Sequence, residues 1–130
     1  MVAFTAKLAQ EDSYPCHSGV LKFANVCINE GDAYNSETGI FTCPLDGLYH
    51  FMVHMSVYGR AQCAISKNSE TIVSMYHTSL PDKCSQVASV STVVKLAKRE
   101  QVWVSTWGPG RNDFFASPDN DSIFVGFRFG

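Results

Sequence analysis

The chain lacks both a long apolar run and an excess of either charge. Its 130 residues carry 10 Lys or Arg and 12 Asp or Glu, so the formal net charge at pH 7 is -2. A charge this close to zero gives no electrostatic footprint for nucleic acid. No apolar run approaches the roughly 18 residues of a membrane-spanning helix. With 45% hydrophobic residues, we expect one domain over residues 1–130 with a single core.

Helical periodicity and catalytic motifs are also missing. No segment has the capped 3.6-residue pattern of an amphipathic helix. The G-x-S-x-G, H-E-x-x-H and P-loop motifs do not occur. Cys16 and His17 are adjacent, but neighbours in a strand point apart, and only a loop could bring them together. The sequence therefore predicts no significant helix and no enzymatic activity.

Cysteine is abundant, although it lacks the spacing of metal sites. The five cysteines are Cys16, Cys27, Cys43, Cys63 and Cys84. None of them form a C-x-x-C pair, which argues against a zinc knuckle. This cysteine content favours an oxidising compartment. Since no signal peptide is visible, we expect a mature chain or a domain that begins at Met1. The odd count leaves at least one thiol free or paired between chains, and the connectivity stays open.

Short strands separated by Gly, Asn, Asp, Ser and Pro turns recur along the chain. We predict strands over residues 2–8, 20–22, 26–29, 33–34, 40–43, 48–58, 62–67, 71–76, 87–96, 101–107 and 122–129. About ten strands with short turns are typical of a β-sandwich or jelly roll. The predicted fold class is therefore all-β.

The parity of the last six strands places the long connections together. If these strands alternate in direction, connections 59–61, 77–86 and 108–121 share one end of the sandwich. Long loops on a rigid scaffold often carry binding residues. The alternative is that their length is tolerated at the surface and has no binding role.

This end offers the aromatic and polar groups that a sugar site needs. The candidate ligand-binding residues are Tyr58, Arg60, Tyr76, His77, Trp107, Arg111, Asn112 and Asp113. Arg111 would suit a carboxylate through paired hydrogen bonds. The alternatives are that Trp107 belongs to the core and that the others are ordinary loop side chains.

Two predicted strands are too apolar for one buried face. The second face of strand 48–58 carries His50, Met52 and His54, and the second face of strand 122–129 carries Phe124 and Arg128. A sandwich strand normally presents a polar second face to water. These faces predict an interface between subunits, unless loops of the chain itself cover them.

A series of short motifs carries a family resemblance. The motifs are Asn29-Glu30-Gly31, Tyr34-Asn35, Thr38-Gly39, Phe41-Thr42-Cys43-Pro44, Gly47-Leu48-Tyr49-His50-Phe51, Lys67-Asn68, Ala88-Ser89, Val102-Trp103-Val104 and the closing Asp119-Asn120-Asp121-Ser122-Ile123-Phe124-Val125-Gly126-Phe127. In this order and at these spacings the chain resembles the globular head domain of complement component-one q, and equally that of adiponectin. The resemblance covers essentially the whole chain. It implies a ten-stranded jelly roll of the tumour-necrosis-factor-like type, assembled as a homotrimer.

The resemblance also implies a function. It points to a secreted, extracellular recognition module with lectin-like binding of glycans or microbial surface patterns in innate immunity, similar to stand-alone invertebrate members. The alternatives are an adiponectin-like signalling ligand for a cell-surface receptor and a structural protein that assembles extracellular matrix. Fold alone does not choose between them.

Disulfides and calcium are expectations from the same resemblance. Cys43 and Cys63 stand where similar heads carry an intradomain disulfide. Cys16 and Cys84 are the second candidate pair, because strand parity puts their two long connections at the same end of the sandwich. Cys27 lies inside the apolar Val26-Cys27-Ile28 and is expected to be a buried free thiol.

Related heads bind calcium at the connection 77–86. Here His77 replaces an expected acid, so Asp82 and Gln86 are the remaining oxygen ligands. Asp119-Asn120-Asp121 is a second oxygen-rich stretch, with a turn into the last strand as the alternative. No other cofactor is indicated.

Overall fold

A computed structural model describes residues 1–10, 19–78, 84–108 and 112–130. These residues form eleven strands and contain no helix, which confirms the all-β prediction. The strands are β1 (Ala3–Lys7), β2 (Asn25–Glu30), β3 (Tyr34–Asn35), β4 (Ile40–Thr42), β5 (Gly47–Tyr58), β6 (Arg60–Lys67), β7 (Glu70–Thr78), β8 (Ser85–Leu96), β9 (Gln101–Thr106), β10 (Phe114–Phe115) and β11 (Ile123–Arg128). The predicted strand 20–22 is only an isolated bridge between Val20 and Ser105, and the unpredicted strand is β10, which lies inside the predicted connection 108–121. Across the described part of the chain there is no helix long and apolar enough to cross a membrane.

The strands form two antiparallel sheets. In the first sheet the order is β8, β5, β11, β1 and β2, and β10 pairs with β5 next to the end of β11. In the second sheet the order is β3, β4, β9, β6 and β7. Many connections cross from one sheet to the other, as they do in a jelly roll.

The register of the strands confirms that the last six predicted strands alternate in direction. Tyr58 of β5 lies opposite Ser85 of β8, and Arg60 of β6 lies opposite Thr78 of β7. The connections after β5, β7 and β9 therefore leave from one end of the sandwich, called here the loop end. At the opposite end Asn68 and Ser69, with φ of 48° and 78°, form the tight turn between β6 and β7.

An aromatic cluster joins the two sheets at the centre of the core. Phe4 of β1 stacks on Tyr34 of β3 with ring centroids 4.8 Å apart, and Phe124 of β11 meets Phe4 edge-on at 5.0 Å. Phe51 and Phe41 complete the cluster at 5.2 Å from each other. On β5 every second residue is fully buried, in the order Tyr49, Phe51, Val53, Met55 and Val57. This alternation is the signature of a strand with one face in the core.

The predicted face of β11 was wrong. Phe124 was expected at an interface between subunits, but it is fully buried in the core. Gly126 faces inward as well, and Arg128 continues that alternation to the edge of the sandwich, where its Nε donates to the carbonyl of Asp46 at 3.1 Å. The outward residues of β11 are therefore Ile123, Val125 and Phe127.

The predicted disulfide between Cys43 and Cys63 was also wrong. The Cys43 amide bonds to Glu100 just before β9, whereas Cys63 lies opposite Thr106 at the other end of β9. That separation is about 20 Å along the strand, and a disulfide needs Cα atoms within about 7 Å. Both residues are buried free thiols.

The remaining cysteines also differ from expectation. Cys27 is an exposed thiol on β2 and is not buried as predicted. Cys84 is an exposed free thiol next to β8, and its predicted partner Cys16 lies outside the described residues.

Candidate functional site

The loop end gathers the starts and ends of β5, β6, β7, β8 and β9. Tyr58 and Arg60 flank Gly59 in the short connection between β5 and β6, and both side chains are half-buried. The Tyr58 amide donates to the Asp113 carbonyl at 3.0 Å, and the Asp113 amide donates to the Arg60 carbonyl at 3.0 Å. The segment before β10 is thus fastened directly onto this connection.

Asn112 and Asp113 were predicted to contact a ligand, and the structure contradicts this. Asn112 and Asp113 are only 2% and 3% exposed, respectively. The Asn112 Oδ1 accepts the Gln62 amide at 2.7 Å. Because buried polar groups need partners, the Asn112 side chain serves the attachment of its own segment, while Asp113 is attached through its backbone amide and carbonyl.

An exposed aromatic pair lies beside this segment. Tyr76 of β7 is 56% exposed and Trp107, which follows β9, is 38% exposed. Their ring centroids are 6.2 Å apart and the planes are tilted by 36°. The Trp107 Nε1 donates to the Cys63 carbonyl at 3.1 Å, which fixes the indole on the sheet. Trp107 is therefore a surface residue with a set orientation, and not part of the core.

Gln62 of β6 lies between the two aromatic residues. It is opposite Tyr76 in the register, and on its other side its carbonyl accepts the Trp107 amide at 3.2 Å. The residue is 5% exposed, and its side-chain Oε1 is buried with no hydrogen-bond partner among the described residues.

Gly108 lets the chain turn over the Gln62 amide. Its φ of +72° suits glycine, and a Cβ there would approach the Gln62 Nε2 to 2.8 Å. Sequence reasoning missed Gln62 because a glutamine inside a strand is unremarkable. The signal that could have found Gln62 is the pairing of β6 with its two neighbouring strands, which places Gln62 between Tyr76 and Trp107.

The other predicted site residues are dispersed. His77 lies opposite Ala61, on the inward face and away from the aromatic pair, and its buried Nε2 has no partner among the residues described. Gln86 is exposed and its Nε2 contacts the Cys84 sulfur at 3.2 Å. Arg111 and Asp82 lie outside the described residues.

The calcium prediction gains no geometric support. Within residues 1–10, 19–78, 84–108 and 112–130, no three His, Cys, Asp or Glu side chains come close enough to hold a metal ion. In the stretch Asp119-Asn120-Asp121, Asn120 and Ser117 exchange backbone hydrogen bonds and Asp121 pairs with Lys7 at 3.6 Å. That stretch is a turn before β11, which was the alternative interpretation.

A second candidate surface is the outer face of the first sheet, formed by the outward residues of β2, β1, β11, β5 and β8. On β5, His50, Met52 and His54 point outward and are half-buried, as predicted. They lie opposite Phe127, Val125 and Ile123 of β11, respectively.

Side-chain contacts order this face. The rings of His50 and Phe127 are 5.2 Å apart, and the His54 Nδ1 hydrogen-bonds to the Ser89 Oγ at 2.7 Å. Exposed apolar side chains extend the face across its neighbouring strands, namely Ile28, Val87, Val93 and Phe127.

Comparison with known proteins identifies the family. A family model described as the C1q domain matches residues 3–128. The chain is 35% identical over 96% of its length to complement C1q and tumor necrosis factor-related protein 9 of Mus musculus, and covers 38% of that protein. It is also 35% identical, over the same share, to complement C1q tumor necrosis factor-related protein 5 of Homo sapiens, covering 52% of it. For a complement C1q subcomponent of Rattus norvegicus the identity is 30%, over 91% of this chain and 46% of that protein. The chain thus spans between 38% and 52% of the length of these relatives.

Solved structures agree on the fold. The globular domain of zebrafish complement 1qA protein matches with a TM-score of 0.78 at 24% identity, over 100% of this chain and 98% of that one. The Eiger TNF structure from S. frugiperda matches with a TM-score of 0.72 at 10% identity, over 100% of this chain and 94% of that one. These likenesses establish the jelly-roll fold. The chain belongs to the C1q domain family, whose members are non-enzymatic ligand and recognition proteins.

Proposed function

We propose that the protein is a secreted, homotrimeric recognition module that binds glycans of microbial surfaces in a lectin-like manner, as part of innate immunity. The observation that carries the proposal is the apolar outer face of the first sheet, because it supplies the contact for assembly. Assembly in turn presents the loop end of each protomer in several copies.

The composition of the outer face supports burial between protomers. Its centre is formed by Met52, Val125 and Thr5, which lie side by side across three strands. The charged residues of the outer face, Lys7 of β1, Glu30 of β2 and Lys95 of β8, stand toward the ends of their strands. A patch depleted of charge at its centre and polar at its rim is typical of an interface. Three copies around a threefold axis would close this surface without leaving a free edge.

The loop end supports glycan recognition. It retains Tyr58, Arg60, Tyr76 and Trp107 from the predicted set, all at least partly accessible. Aromatic surface with a few directed polar groups is the chemistry of a sugar site. Binding of one sugar by one such open site is weak, and three sites on one assembly raise the avidity when the target spacing fits.

The extracellular location rests on the family. The relatives are secreted C1q-family proteins. The cysteines no longer add support, because the four that the structure describes are free thiols.

A printed glycan array probed with the purified protein tests the function. The protein is applied in calcium and again in EDTA, and bound spots are competed with the corresponding free sugar. We expect saturable binding that free sugar removes, and the EDTA arm shows whether calcium takes part. A folded protein that binds no glycan in either buffer contradicts the lectin-like function.

A receptor-binding signalling ligand is the second candidate. It is favoured by the 35% identity to two C1q and tumor necrosis factor-related proteins, compared with 30% to a complement C1q subcomponent. Binding to cultured cells separates the two candidates. A lectin loses its binding after enzymatic removal of cell-surface glycans, whereas a receptor ligand loses it after mild proteolysis and keeps it after deglycosylation.

A further inference from the structure

We propose that Tyr76, Trp107 and Gln62 form a pyranose-binding subsite on the outer face of the second sheet. The proposal rests on the proposed function and deepens it, since it names the class of ligand and the residues that receive it. The subsite lies on the flank of the sandwich, at the loop end, and uses a residue that the sequence did not indicate.

The Trp107 ring is ordered in advance of any ligand. The Trp107 indole is held by its Nε1 hydrogen bond to Cys63, and the Trp107 backbone is held by its amide bond to Gln62. Tyr76 lies in a paired strand, directly opposite Gln62. Because the indole is fixed before binding, little of its side-chain freedom is lost when a ligand covers it, which favours affinity.

The Gln62 side-chain amide, which lies beneath these rings, has an oxygen that needs a hydrogen-bond donor. The side chain is almost fully buried, and its Oε1 finds no hydrogen-bond donor among the described residues. An unpaired buried acceptor is costly, and a hydroxyl group reaching it from between the rings would remove that cost. The Nε2 is packed under Gly108, which leaves the oxygen as the group to be satisfied.

This combination fits a pyranose ring. A pyranose has a face of C–H groups that can cover aromatic carbon, and hydroxyl groups at its rim that can donate to an amide oxygen. A ligand cation would also suit two aromatic rings. The alternation along β6 places Arg60 on the same face as Gln62, however, and its positive charge opposes a cation there.

Exposed Tyr76 is the residue to vary, because its replacement leaves the fold intact. Tyr76→Ala removes one ring, Tyr76→Phe keeps the ring, and Gln62→Met keeps the volume while removing the acceptor. Leu45→Ala, in an exposed turn at the opposite end of the sandwich, is the matched control. Trp107 is the reporter in a Trp103→Phe background, in which it is the remaining tryptophan.

Fluorescence titrations use the methyl glycosides of galactose, mannose, N-acetylglucosamine and N-acetylneuraminic acid, with choline as the cationic probe. At least one glycoside is expected to change Trp107 emission in a saturable way. Tyr76→Ala should weaken that binding about tenfold, which corresponds to the loss of one good contact. Tyr76→Phe should recover most of the loss, Gln62→Met should weaken binding, and Leu45→Ala should match the parent. If Gln62→Met does not fold, the two Tyr76 variants decide.

The outcomes separate the subsite from the wider function. Glycan-array binding by the parent that is unchanged in Tyr76→Ala overturns the subsite and leaves lectin-like recognition standing. A saturable response to choline and to none of the glycosides overturns the pyranose assignment. A parent protein that binds no sugar in titration or on the array overturns both proposals.

Discussion

Gly126 lies directly opposite Phe51 in the register of β11 and β5, with no room between them for a side chain. A Cβ on Gly126 would come within 2.7 Å of the Phe51 ring and within 2.6 Å of the Phe4 ring. The glycine thus makes space for two rings of the aromatic cluster, and it sets which face of β11 points into the core.

Replacing Gly126 by alanine is therefore expected to destabilise the domain. Overpacking of a filled core typically costs about 1–3 kcal/mol. Urea unfolding followed by tryptophan fluorescence measures the change in the free energy of unfolding. Gly130→Ala is the control, because a Cβ there meets its nearest neighbour, Leu48, at an ordinary 3.6 Å. Equal stability of the two variants would contradict the packing described.

The same glycine explains why the sequence misassigned β11 while it succeeded for β5. On β5 every inward residue is apolar and large, so counting hydrophobic residues finds the core face. On β11 the set Ile123, Val125 and Phe127 is richer in apolar residues than the inward set, which contains Gly126. A rule that counts apolar residues cannot recognise an empty position that neighbouring rings from β1 and β5 fill.

The cysteines should differ in reactivity according to burial. Burial raises the pKa of the Cys63 thiol to about 12, so at pH 8 almost none of it is the reactive thiolate. Exposed Cys27 and Cys84 should be alkylated by iodoacetamide in the native protein, whereas Cys43 and Cys63 should react after unfolding without any reductant.

Peptide mass mapping of each cysteine reads out this pattern. Two results would contradict the register of β4, β9 and β6 described above. One is a peptide in which Cys43 and Cys63 are joined, and the other is protection of both thiols until a reductant is added.

The cysteine and loop predictions failed for related reasons. A family position suggested that Cys43 pairs with Cys63, but the distance between them is set by the pairing of β4, β9 and β6 across the sheet. Asn112 and Asp113 have the composition of a solvent-exposed loop, yet their segment folds back against β5 and β6. Strand parity, in contrast, was enough to place Tyr58, Arg60, Tyr76 and Trp107 at one end, because it depends on the order of strands alone.

Glu100 should contribute stability that depends on pH. Its carboxylate accepts the Ala97 amide at 2.7 Å and pairs with the Lys67 Nζ at 3.2 Å. The hydrogen bond from Ala97 is the main cause that lowers the pKa of this carboxyl. A carboxyl whose pKa is lower when folded stabilises the protein above its unfolded pKa, and the contribution is lost as the pH falls through the folded pKa.

Glu100→Gln should accordingly lower the melting temperature at pH 7 and have a smaller effect near pH 3. Calorimetry at both pH values measures the difference. Glu70→Gln, at an exposed position in β7, is the control that changes the charge equally. A deficit of Glu100→Gln that is the same at both pH values would contradict the role of the ionised carboxylate.

A charge placed on the outer face of the first sheet should prevent assembly. Phe127→Asp removes an apolar ring from the contact and introduces a carboxylate, whose removal from water between protomers is unfavourable. We expect a folded protomer with the circular dichroism of the parent and about one third of the parent's mass in solution. Leu45→Asp, at an exposed apolar residue in the turn between β4 and β5, should leave the mass unchanged. Equal masses of the two variants would place the contact between protomers elsewhere.

The mass of the unmodified protein in solution is the most direct test of the trimer. Multi-angle light scattering coupled to size exclusion, at a few micromolar protein, should give about three times the protomer mass of 14.3 kDa. A mass that stays near 14.3 kDa at every concentration would contradict both the homotrimer and the interpretation of the apolar face as the contact between protomers.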